Sequence, residues 1–166
     1  MFKHAILATL TTAITLTATM PTMAGVRVVN APSNSEFKSY MDYRAIKDKS
    51  STQYELQQDA TTDSLGIRMI DNRFLVAIGT GYGASVGDDI DVTLETGVVV
   101  PCTVGEVKAD KDTYASNLQS NTGNGNVVEF IVDTHKLQTY VKRRGTLSVI
   151  PGLEGDVESI GVLQDM

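Results

Sequence analysis

Through most of the chain after residue 66, apolar and polar residues alternate, and that alternation predicts the elements. Runs 67–70, 73–78, 90–94, 98–107, 127–132 and 157–163 read as strands, each bounded by residues that favour turns. Asp71-Asn72, Gly87-Asp88, Glu95-Thr96-Gly97 and Pro151-Gly152 supply the punctuation. Before them, 25–57 is polar and connective. Ser33, Asn34 and Ser35 offer caps for one short helix carrying Phe37, Tyr40 and Met41, whereas 53–57 alternates like a short strand. Near the end, Asp133 stands as an N-cap before 134–144, a segment with Lys142, Arg143 and Arg144 in its last turn and Gly145 after it. The pattern predicts a mainly β fold, a six-stranded closed barrel over 67–166 with one or two short helices. An N-terminal extension, 25–66, packs on it.

The polar interruptions locate candidate chemistry. In an extended strand Val98, Val100, Cys102 and Val104 share one side and deliver Glu106 to that same side at the strand's end. Gly105 allows close approach, and Lys108, Asp110 and Asp112 follow in one loop. Glu106 is therefore expected at a concave rim, hydrogen-bonded to a side chain from 108–113 or from the glycine-rich loop 79–83; if it acts as an acid, burial against Val104 should raise its pKa. Glu129 and Asp133 are further acids on one strand face. Four residues at about 3.3 Å each separate them by roughly 13 Å, too far for a carboxylate dyad, and capping is the favoured role for Asp133. The loop 79–83 leads into a strand and not a helix, which excludes a phosphate cradle. Phe37, Tyr40 and Tyr43 could stack on sugar rings, although core packing is the favoured reading. The polar loop 116–126 is either a solvated excursion or the flank of a glycan groove.

Composition narrows the setting. A chain of 166 residues that is 42% hydrophobic can build one real core, and a formal charge of −6 argues against nucleic acid and anionic membranes as partners. Residues 1–24 read as a signal peptide: Lys3, an apolar run over 5–18, then Thr22-Met23-Ala24 before the cleavage point. A retained anchor is the alternative. The only cysteine, Cys102, has no partner for an internal disulfide. His4 falls in the leader and His135 stands alone, so neither a zinc cluster nor a Ser-His-Asp triad can be assembled, and no cofactor or metal is expected.

From Phe74 to Leu163 the order of strand, Gly-Asp turn, strand, acidic loop, strand ending in Asp, short helix and final strand resembles the double-psi β-barrel. That architecture is shared by rare lipoprotein A-like proteins, expansins and the three-aspartate domain of membrane-bound lytic transglycosylase A. More closely, 40–46, 51–56, 73–77, 105–110 and 129–133 are similar to a secreted domain common in Gram-positive bacteria and their phages. By that resemblance Glu106, Glu129 and Asp133 stand where the three-aspartate domain has its three acids, two of them here Glu. Val107-Lys108 replaces the glycine pair after the first acid, and Asp112 stands where His is usual. The resemblance implies a secreted, cell-wall-associated domain that cleaves peptidoglycan glycan strands with a carboxylate acid/base. Glu106 is the first candidate for that role and Asp110 the second. The alternative is a non-catalytic module that binds peptidoglycan or a partner protein.

Overall fold

The computed structural model describes residues 25–164; the expected leader lies outside them. The described residues are mainly β, with nine strands in one mixed sheet and two α-helices. In chain order the strands are β1 (Gly25–Asn30), β2 (Ser39–Asp42), β3 (Thr61–Thr62), β4 (Arg68–Ile70), β5 (Arg73–Gly79), β6 (Asp89–Leu94), β7 (Val99–Lys108), β8 (Glu129–Val132) and β9 (Val157–Gln164). The helices are α1 (Thr52–Asp59) and α2 (Thr139–Arg144).

Strand β5 is the hub. It leaves β4 through a tight turn in which Asp71 and Asn72 both take left-handed φ, 46° and 62°, which polar short side chains tolerate best. It then runs parallel to β7 on one side and antiparallel to β8 on the other. From β7 the sheet continues through β6 and β9 to β1, all antiparallel, while β2 extends β8 in parallel. The sheet does not close on itself, which corrects the six-stranded closed barrel. The extra strands come from the segment expected to be connective. Strand β1 escapes the pattern because its outward residues are Val26 and Val28, both more than half exposed, so no polar face marks it.

Two local readings reverse. The expected helix near 33–44 is β2 followed by a 3-10 turn, Tyr43–Ala45, because β8 offers an open parallel edge over Ser39–Asp42. The expected strand over 53–57 belongs to α1, which Ser51 caps by accepting a hydrogen bond from the Tyr54 N–H at 3.2 Å. At the far end only Thr139–Arg144 is helical, and Asp133 caps the preceding turn instead of α2. Gly145 ends α2 with φ 71°, as its position after the basic residues predicts.

The main core lies on the sheet face carrying Val76, Ile78, Ile90, Val92, Val104, Phe130 and Ile160. Cys102 belongs to it, fully buried and unpaired, and burial pushes its thiol far up from the ordinary value. A smaller cluster, Ala60, Leu75 and Ile131 with Leu56 and Met41 against it, fills the opposite face beneath α1.

Candidate functional site

A bulge determines where Glu106 goes. Along the β5–β7 pair Val76 faces Val104 but Ala77 faces Glu106, so Gly105 is an extra residue in β7. Up to Val104 the even-numbered residues enter the main core; beyond the bulge Val107 packs there instead. Glu106 is thereby turned to the other face of the sheet, beside Leu75 and Ala77. The expectation that it shares a side with Cys102 and Val104 is overturned. Gly105 permits this arrangement, since a Cβ there would stand 2.5 Å from Ile131 Cδ1 and 3.4 Å from Leu75 Cβ.

On this second face four residues form a row across four strands. Ser39 of β2 pairs with Glu129 of β8, Glu129 with Ala77 of β5, and Ala77 with Glu106 of β7. Two strand spacings of about 4.8 Å put the Glu106 and Glu129 backbones roughly 10 Å apart. The methyl of Ala77 lies between them and leaves the floor open. Ser39, Glu106, Lys108 and Glu129 line a groove of about 660 Å³, walled by Lys111, Asp112 and the amides and hydroxyls of Ser120, Asn121, Thr122, Asn124 and Asn126. The polar loop thus flanks the groove.

The two carboxylates have different surroundings. Glu129 is fully engaged, its Oε1 accepting from Ser39 Oγ at 3.1 Å and its Oε2 from Lys108 Nζ in a salt bridge. Glu106 has an inner oxygen, Oε2, that is buried without a hydrogen-bond partner. The expected bond to 108–113 or to the glycine loop is therefore missing at that atom. Burial pushes the Glu106 pKa up, the nearby Lys108 ammonium works against that, and the Glu129 charge adds to it. The direction agrees with the sequence expectation, although the burying surface is not Val104.

The other two candidates lie elsewhere. Asp110 starts a 3-10 turn, Asp110–Asp112, where its carboxylate accepts from Thr80 Oγ1 at 2.6 Å outside the groove lining. Asp133, at the opposite end of β8, accepts from the His135 N–H at 3.0 Å and sits 3.2 Å from the Arg44 guanidinium. Asp42 completes that corner, and Thr134 and Arg44 both donate to it. So the groove unites Glu106 with Glu129 and excludes Asp110 and Asp133. Sequence reasoning missed Ser39 and Ala77; the glycine inside the 98–107 run was the one signal of a bulge.

The chain matches no protein-family model, no curated protein and no solved structure. Among the described residues no group of three or more His, Cys, Asp or Glu could hold a metal ion. The side chains that line the groove offer acid–base chemistry. One carboxyl group disposed to hold its proton, beside a second carboxylate occupied by a lysine and a serine, is an arrangement able to donate a proton to a bound oxygen and take one back.

Proposed function

We propose that the protein is an exported, cell-wall-associated domain that cleaves peptidoglycan glycan strands, with Glu106 as its single acid and base. The observation that carries the reading is the buried, unpartnered carboxyl oxygen of Glu106 on the floor of a groove walled by amides and hydroxyls. In its protonated form, which burial favours, Glu106 gives its proton to the glycosidic oxygen as the bond to the sugar's C1 breaks. As a carboxylate it then removes a proton from that sugar's own C6 hydroxyl, whose oxygen closes on C1 to leave an anhydro end. Atoms and charge balance without water. A single-acid route is favoured over two-carboxylate hydrolysis because both oxygens of Glu129 are engaged by Ser39 and Lys108. Export rests on residues 1–24. Kinship with the double-psi architecture, short of a closed barrel, is supported by the parallel pairings of β5 with β7 and of β2 with β8 within an otherwise antiparallel sheet.

A second reading, a glycan-binding module without catalysis, is favoured by the groove wall of neutral hydrogen-bonding groups from the 120–126 loop. One experiment separates the two. The mature protein and its Glu106→Gln variant are incubated with purified peptidoglycan, which is then pelleted and analysed by mass spectrometry. Anhydro ends made by the wild type and not by the variant support cleavage. Co-sedimentation without new ends supports the binding module, and neither result overturns both.

A further inference from the structure

Gln57 is the one buried residue of α1, and its placement is unusual for a polar side chain on a helix that packs on the sheet. Arg68, itself buried, grips it twice: Nε donates to Gln57 Oε1 at 3.2 Å and Nη2 to the Gln57 backbone oxygen. A guanidinium has only donors, so the amide oxygen must face Arg68 and the NH2 must face away. Arg68 is fixed in turn, by Thr62 at 3.0 Å and by the Tyr43 ring 4.5 Å beneath its Cζ. The Gln57 NH2 is therefore held over β7, with Nε2 3.6 Å from where a Cβ on Gly105 would be. It too is buried and has no partner.

An unsatisfied donor over Gly105 and an unsatisfied acceptor on the next residue stand on one face of the sheet. Leaving either buried group unpaired is destabilising, so a structure that orphans both in one place has a use for them. We infer that Gln57 is a positioning residue for Glu106: its side-chain amide donates to the inner carboxylate oxygen whenever Glu106 is deprotonated, leaving the outer oxygen directed at the groove. Arg68 acts through it, polarising the amide while remaining away from the carboxylate. In the cleavage cycle the bond forms as the proton leaves for the glycosidic oxygen and breaks when the proton returns. That role rests on the reading of Glu106 as the acid; the hydrogen bond does not.

The test uses the folded mature protein and no substrate. Side-chain amide resonances of Gln57 are followed by NMR across the titration of a 13C-labelled Glu106 carboxyl. The Gln57 NH2 protons should move with the Glu106 midpoint, and the movement should vanish in Glu106→Gln. In Gln57→Leu, removal of a donor to the charged form should raise that midpoint by about one pH unit, and the alkaline limb of any glycan cleavage should move with it. Should Gln57→Leu fail to fold for want of an acceptor for Arg68, the wild-type amide titration decides by itself. Gln57 resonances that stay flat while Glu106 titrates would overturn the inference. Absence of glycan cleavage with the coupled titration intact would overturn the proposed function alone.

Discussion

Replacing Glu106 with Gln removes a charge and keeps the shape, which makes its effect on stability calculable in sign. The folded state holds the Glu106 pKa above its ordinary value of 4.5, first by burial and then by the Glu129 charge, against the pull of Lys108. A carboxyl with a raised folded pKa contributes stability that is full below the unfolded value and lost as pH rises through the folded one. Each unit of elevation corresponds to about 1.4 kcal/mol lost at neutral pH, reduced here because part of the side chain faces the solvent-filled groove. The variant cannot ionise and avoids that loss. Glu106→Gln should therefore match the wild type below pH 4.5, the ordinary value, and become the more stable of the two as pH rises toward 7, while any glycan cleavage disappears. Urea midpoints measured across that range, with m unchanged, give the comparison. A variant less stable than wild type at neutral pH, or a difference that does not shrink on acidification, would refute the account of a carboxyl whose ionised form burial disfavours.

Three further changes test the surroundings. Gly105→Ala drives a Cβ to within 2.5 Å of the buried Ile131 Cδ1 and should cost about 1–3 kcal/mol by overpacking, read as a lowered urea midpoint; a neutral result would mean the bulge relocates freely. Asp133→Ala should lose about 1 kcal/mol through the turn it caps and its contact with Arg44, while peptidoglycan co-sedimentation stays unchanged; loss of binding in a folded variant would bring Asp133 back into the site. Cys102 should react with a thiol reagent only as fast as the protein opens, and rapid labelling under native conditions would contradict its burial.

Alternation served well where both neighbours of a strand obey it. Strands β4 to β7 and β9 stand close to their expected limits because Asp71-Asn72 and Glu95-Thr96-Gly97 make turns by local chemistry that no tertiary contact needs to supply. It failed where pairing decides. Phe37, Tyr40 and Met41 stand at helical spacing, yet the free edge of β8 draws residues 39–42 into a parallel strand. Residues 53–57 alternate, yet the Ser51 cap sets the start of a helix there.

The site shows the same division at finer scale. That Glu106 is a half-buried acid with a raised pKa was legible from an apolar strand ending in a carboxylate. Which face it occupies was not, because one extra residue reverses a period of two and nothing in a side-chain pattern counts hydrogen-bond partners. The reversal has a chemical consequence. Without the bulge, Glu106 would enter the main core between Val76 and Ile78, where no polar group could meet it and no substrate could reach it. With it, Glu106 lies one strand from the small Ala77, two from Glu129, and next to a glycine whose missing side chain admits the Gln57 amide. A Cβ at Gly105 would meet Gln57 Nε2 at an ordinary 3.6 Å, so Gly105→Ala should leave the amide coupled to the Glu106 titration, whereas a residue larger than Ala should displace Gln57 and uncouple the two even in molecules that remain folded.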